Sequence, residues 1–170
     1  MVQCYFGNGK GKTTAAIGAV IRCVGCGKKA LYVGFLKNNN SAEYKVFEAV
    51  ENIDMLFSDE YYNLFDNKKN ELTDKFIKAY SKLLLDETEK RRCNCRMIVL
   101  DEILDAVEFG YIDEKEFIKL LNEWKDSVEI ILTGHKLSEK IAEVCDYISE
   151  VREIKHPYNS GTLPRKGIEY

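Results

Sequence analysis

A chain of 170 residues is long enough for one domain with a buried core, and 45% hydrophobic with 31% charged residues is an ordinary globular composition. A net charge of −3 argues against a broad nucleic-acid surface, whose footprint is basic, but not against a small anion site built from local groups. No apolar run approaches the ~20 residues needed to span a bilayer, and Met1 leads directly into a strand-like segment without a charged leader, so a cytoplasmic location is expected.

Val2–Phe6 reads as a strand, followed by a glycine-rich turn and an apolar helix from about Thr13 to Cys26, ended by Gly25 and Gly27. Ala30–Leu36 is a second apolar run. A polar turn over Asn38–Ser41 and a helix from Ala42 to Val50 come next, then a short strand at Ile53–Phe57. Asp59–Lys69 carries no readable pattern. Glu71–Arg91 has helical spacing, with Phe76, Tyr80, Leu83 and Leu84 on one face.

Arg96–Leu100 is a buried type of strand ending at Asp101-Glu102. Asp113 followed by Glu116 makes a cap-like start for a helix whose Phe117, Leu120, Leu121 and Trp124 form a core stripe. Val128–Leu132, a helix near Ser138–Cys145, and Tyr147–Ile154 complete the series. Strands alternating with helices predict a largely parallel sheet covered on both faces, in a single domain over 1–170.

The six cysteines suit a reducing compartment as free thiols. Cys23-x-x-Cys26 lies at a helix end. Cys93-x-Cys95 has one intervening residue where structural zinc sites show two to four, so a zinc reading is set aside.

In such sheets ligands bind beyond the carboxyl ends of the strands. Four segments directly follow predicted strands: Gly7–Thr14, Lys37–Asn40, Asp101-Glu102 and Thr133–His135. The run Gly7-Asn8-Gly9-Lys10-Gly11-Lys12-Thr13-Thr14 has the character of a phosphate-binding loop. Its glycines let backbone N–H groups approach phosphate oxygens, and the helix N-terminus adds the positive end of a dipole. Lys12 is expected on the phosphates and the Thr13 hydroxyl on Mg²⁺.

The usual pattern has four residues between its first glycine and Gly-Lys-[Ser/Thr]; here that first slot is Phe6. Asp101 and Glu102, delivered to the sheet edge by an apolar strand, supply the oxygen ligands that a hydrated Mg²⁺ prefers. Together the two motifs predict a P-loop NTPase-like (RecA-like) α/β fold with a Mg-nucleotide site. The pair alone is also compatible with a helix N-terminal cap.

With both halves located, the chain resembles the corrinoid adenosyltransferases along nearly its whole length. That family's loop is shortened in the same way, reading Gly-Asn-Gly-Lys-Gly-Lys-Thr-Thr. Further matches are Ala15–Gly18, Phe35-Leu36-Lys37, Val99–Ile103 and Thr133-Gly134. The tail agrees too, with Lys155-His156-Pro157-Tyr158, Gly161 and Arg165–Tyr170.

Three departures accompany the likeness. His135 stands where the family often has arginine. A long N-terminal segment that covers the corrinoid in some members is not seen before the first strand. The aromatic segment near the corrin is not clearly spelled, with Phe57, Tyr61, Tyr62 and Phe65 as candidates.

The resemblance implies transfer of the 5′-deoxyadenosyl group of ATP to the Co(I) of a corrinoid, with triphosphate leaving. Gly7–Thr14 and Lys37 would bind nucleotide, Lys12 and Thr13 would act in catalysis, and Thr13, Asp101 and Glu102 would hold Mg²⁺. It further implies a homodimer supplied with electrons by a flavoprotein reductant. The alternatives are a P-loop nucleoside or small-molecule kinase, or a nucleotide-dependent binding module without transfer activity.

Overall fold

A computed structural model describes residues 1–38, 42–58, 71–157 and 161–168. They form one sheet of six strands in the order β3-β2-β4-β5-β1-β6, with every pairing parallel. The strands are β1 (Val2–Phe6), β2 (Ala30–Asn38), β3 (Ile53–Ser58), β4 (Met97–Asp101), β5 (Glu129–Gly134) and β6 (Tyr147–Glu150). The helices are α1 (Lys12–Gly25), α2 (Ala42–Phe47), α3 (Glu71–Arg91), α4 (Ile103–Glu108), α5 (Glu114–Trp124) and α6 (Glu139–Ala142).

The near-continuous apolar strands follow from burial on both faces. Leu31, Val33 and Phe35 of β2 join Ile98, Leu100, Ile130 and Leu132 against α3, α4 and α5. Their neighbours Ala30, Tyr32, Val99 and Ile131 face α1 and α2 through Ala16, Val20, Tyr44 and Phe47. The period-2 alternation of a strand thus sorts each residue to one layer. Helices on both faces of a parallel sheet agree with the sequence reading.

Several boundaries move. β2 runs on to Asn38 through Leu36, a non-glycine residue at φ +56, and its register against β3 shifts between Gly34 and Asn38. Asn38 therefore belongs to a strand and not to the expected turn; residues 39–41 lie outside those described. α2 stops at Phe47, α6 at Ala142 and β6 at Glu150, each short of its expected end. The helix α4 was not anticipated. It is only six residues long, so no periodicity could announce it.

On α3 the core face is Ile77, Ser81, Leu84, Leu85 and Thr88. Phe76 and Leu83, expected to face inward, are 43% and 57% exposed. The small Ser81 and Thr88 let the helix sit close to its neighbours, with the Thr88 hydroxyl satisfied by the Leu84 carbonyl at 2.6 Å. Of the expected stripe, Leu84 is buried and Tyr80 packs half-buried against the core, so the true core face is rotated from the expected one and not opposite to it. For α5 the expectation is met: Asp113 caps it by accepting the Glu116 N–H, and Phe117, Leu121 and Trp124 are fully buried.

The strand order decides where the site lies. β5 is interposed between β1, which ends in the glycine loop, and β4, which ends in the acid pair. The connection leaving β1 crosses the sheet toward β2 and β3, whereas those leaving β4 and β5 run the opposite way, and the crevice lies beyond the carboxyl ends of these strands.

Candidate functional site

The loop after β1 is shaped from behind. Gly7 at φ +118 and Gly11 at φ +115 occupy backbone space that side chains rarely enter. The chain following β6 passes directly beneath: the Gly9 N–H donates to the Val151 carbonyl at 2.8 Å, and the Val151 N–H to the Phe6 carbonyl at 2.7 Å. A Cβ on Gly7 would collide with the Val151 carbonyl oxygen, and one on Gly9 would stand 2.8 Å from the Arg152 carbonyl carbon.

Asn8 is turned to the same strap, its Oδ1 accepting the Glu153 N–H at 3.0 Å. The Gly7 N–H donates to the Gly134 carbonyl at 3.2 Å. Gly7 and Asn8 hold the loop's shape, while the residues from Gly9 to Thr14 line the cavity in front.

Gly11 is the N-cap residue of α1, with no side chain to satisfy the first turn. The first N–H groups of any helix lack intrahelical acceptors, so this end presents donors and a positive partial charge to the cavity. The cavity measures about 650 Å³, within the range of small-molecule sites. Lys12 and Lys37 bring cations to it, and Ile17, Val46, Gly167 and Ile168 give it an apolar wall. The Lys12 ammonium rests on the Gly9 carbonyl at 3.0 Å, and burial pulls its pKa down.

Beneath the loop sits the most densely bonded group of the site. Asp101 is fully buried at the end of β4. Its Oδ1 accepts from the Thr133 hydroxyl at 2.6 Å and the Thr13 hydroxyl at 3.1 Å. Its Oδ2 accepts from the Tyr32 hydroxyl at 2.6 Å and the Lys37 ammonium at 2.7 Å. Burial alone would raise the Asp101 pKa, but Lys37 and the hydrogen bonds outweigh it and hold the carboxyl below the usual carboxylate range. On Lys37 burial works downward, and the two acids beside it win, holding its pKa above the ordinary value.

Glu102 stands at the N-cap position of α4 with φ +61, yet its side chain makes no capping bond. It approaches the Lys37 ammonium at 3.2 Å instead, and burial pushes its pKa up to about 7. A non-glycine residue held in left-handed space costs about 1 kcal/mol or more and is typical of sites whose surroundings impose the shape. The Glu102 N–H is fixed by the Thr133 hydroxyl at 2.8 Å.

Three of the four segments expected at the sheet edge converge within the described residues: the loop, the acid pair and Thr133–His135. Lys37 represents the fourth. His135 lines the cavity with its Nδ1 3.0 Å from Asp105 Oδ1 and its backbone N–H on the same carboxylate. Gly134 is required by crowding, since a Cβ there would lie 2.5 Å from that of Leu104. Phe57 packs in an aromatic cluster, its ring stacked on Tyr44 at 4.3 Å and tilted against Tyr32 at 6.0 Å. Tyr61, Tyr62 and Phe65 lie outside the described residues.

Sequence reasoning missed Tyr32, Asp105 and the tail at Val151–Glu153 and Gly167–Ile168. Tyr32 could have been found from register: it pairs with Val99 while Gly34 pairs with Asp101, which places Tyr32 and Asp101 on one face. The tail gave no such signal, because nothing local ties residue 151 to residue 9. One consequence is testable. Gly9→Ala should fold cooperatively yet weaken ATP binding about tenfold or more, since the loop must shift away from Val151 and Arg152. Calorimetric titration with MgATP measures this, and unchanged affinity would remove the tail from loop shaping.

The sequence matches the family model of ATP:corrinoid adenosyltransferase BtuR/CobO/CobP over residues 1–170. It is 30% identical over 173 residues to a corrinoid adenosyltransferase of Escherichia coli strain K12, covering 100% of this chain and 85% of that one. A corrinoid adenosyltransferase of Sinorhizobium sp. is 32% identical over 176 residues, covering 96% of this chain and 77% of that protein. Among solved structures, the cytoplasmic domain of EssC shares the fold, with a TM-score of 0.53 at 15% identity. That match covers 97% of this chain and 33% of the EssC chain.

Proposed function

The chain belongs to the ATP:corrinoid adenosyltransferase family, and we propose that its glycine loop holds the triphosphate of ATP while a reduced corrinoid attacks the sugar. One observation carries this reading. Thr13 and Asp101, 88 residues apart in sequence, meet at 3.1 Å directly behind the loop. A catalytic loop without an acid partner would bind phosphate but leave its metal unheld.

The reaction is substitution at carbon. The Co(I) of the corrinoid attacks C5′, the cobalt–carbon bond forms, the C5′–O bond breaks, and triphosphate leaves with the electron pair. No protein nucleophile is needed. The protein's tasks are to orient two reactants and to stabilise charge on the departing phosphates. Lys12 and the N–H groups at the start of α1 serve the second task. Ile17, Val46 and Ile168 form an apolar wall suited to a flat ring.

The donor set fits a hard divalent cation: a hydroxyl and a carboxylate 3.1 Å apart, with a second carboxylate beside them, already gathered around a positive charge. Thr13, Asp101 and Glu102 would hold Mg²⁺, which when bound neutralises charge on the phosphate chain. The single catalytic domain over 1–170, its assembly as a homodimer, a cytoplasmic location and a flavoprotein reductant complete the reading. None of the helices among the described residues is long and apolar enough to cross a membrane.

The test is the visible spectrum of a chemically reduced corrinoid mixed with protein and MgATP. Formation of a light-sensitive alkylcobalt species with one triphosphate per turnover is expected. ADP as product would indicate a kinase, and no product at all a binding module; family membership favours neither.

A further inference from the structure

The oxygens assigned to the divalent cation are already engaged. The Lys37 ammonium lies 2.7 Å from Asp101 Oδ2, 3.2 Å from Thr13 Oγ1 and 3.2 Å from Glu102 Oε1. It reaches them from an irregular stretch of strand. Between the pairs Gly34–Phe57 and Asn38–Ser58, β2 advances four residues where β3 advances one, and Leu36 within that stretch takes φ +56. A regular strand carries no such excess of chain against its partner β3. The distortion delivers a long cationic side chain to a carboxylate that is otherwise fully buried.

We propose that Lys37 is a resident counter-cation that keeps a lone divalent metal off Thr13, Asp101 and Glu102, and gives way only when a polyphosphate draws its ammonium aside. The inference rests on the assignment of those three residues to the metal. A hard cation approaches its oxygen ligands to about 2.0–2.1 Å, and Asp101 Oδ2 already accepts from both the Tyr32 hydroxyl and the Lys37 ammonium, so a metal there must displace one of them. Two positive groups around one carboxylate repel, and this repulsion is stronger in a site shielded from water. Phosphate oxygens offer the ammonium an equivalent partner in the same cavity, so metal and nucleotide would enter together. The device protects a buried negative charge in the nucleotide-free protein and couples metal uptake to substrate.

The experiment is titration of the full chain with Mn²⁺ alone, without nucleotide, followed by the paramagnetic resonance of free Mn²⁺. Lys37→Met should bind Mn²⁺ about tenfold or more tightly than wild type, the scale expected for removing one adjacent like charge. The gain should vanish in Lys37→Met/Asp101→Asn. Equal affinity in wild type and Lys37→Met overturns the inference. If Lys37→Met folds poorly, Lys37→Ser admits water beside Asp101 and is measured in its place.

Recovery of cooperative melting on adding Mn²⁺ counts in favour. Failure of both variants to fold with or without Mn²⁺ counts against, because the metal would replace the missing charge. The two levels separate cleanly. If Lys37→Met gains nothing but Asp101→Asn loses ATP-dependent Mn²⁺ binding, the site assignment stands and only the counter-cation falls. If the gain persists without the Asp101 carboxylate, both fall.

Discussion

Asp101→Ala should lose adenosylation at least a hundredfold and cost about 3–5 kcal/mol of folding stability, the range seen when one partner of a buried ion pair is removed. The carboxylate accepts from Tyr32, Lys37, Thr133 and Thr13, so its loss takes the acceptor from three hydroxyls and leaves the Lys37 ammonium with Glu102 as its counter-charge. Asp101→Asn keeps the shape but replaces one acceptor by a donor. It should lie between wild type and alanine in stability while remaining as inactive as alanine.

The pH dependence follows from the sign of the shift. The folded-state pKa of Asp101 is depressed, so its contribution is fully present above the unfolded value of about 3.9 and is lost as pH falls toward the folded value. In metal-free buffer wild type should therefore lose more stability as pH falls below about 4 than Asp101→Asn does. Urea unfolding across that range measures the difference. Parallel curves would show that the carboxylate is not paired in solution.

That cluster also marks the boundary of what the sequence conveys. The loop is legible because Gly7–Thr14 is contiguous and lies between an apolar strand and an apolar helix. Asp101 is legible because the short apolar run Met97–Leu100 reads as a buried strand, and a strand end is a fixed address. Thr133 is legible as the end of a later strand at the same sheet edge, but that its hydroxyl reaches Asp101 depends on β5 lying beside β4, which no local pattern encodes. Tyr32 reads as one more core aromatic until register sets it beside Asp101.

Lys37 was assigned to nucleotide through family likeness, but its grip on both acids depends on the irregular path of β2, which leaves no mark in hydrophobic periodicity. The tail is the extreme case. The spelling from Lys155 onward pointed to the family, but the segment beneath Gly7 and Gly9 is Val151 and Arg152, whose place appears only when the chain is folded. The glycines that seemed reserved for phosphate are, at those two positions, required first by Val151 and Arg152.

Lys12 gives the opposite signature from Asp101, and the contrast is what identifies its role. Among the described residues its ammonium makes one hydrogen bond, to the Gly9 carbonyl at 3.0 Å, and its side chain is only partly buried. Lys12→Ala should therefore change stability by no more than about 1 kcal/mol, the net value of a single hydrogen bond. Triphosphate release should nonetheless fall about a hundredfold to a thousandfold, as when one preorganised donor to developing charge is removed. Charge grows on the phosphate chain as the C5′–O bond breaks, so the loss should fall on kcat more than on KM for ATP.

Lys12→Arg should not restore the rate, because a planar guanidinium cannot occupy the position of a compact ammonium against the loop. Single-turnover measurement with excess reduced corrinoid separates the chemical step from binding. An equal loss in KM with kcat preserved would assign Lys12 to holding ATP and not to its departure, and near-normal turnover would remove it from the reaction.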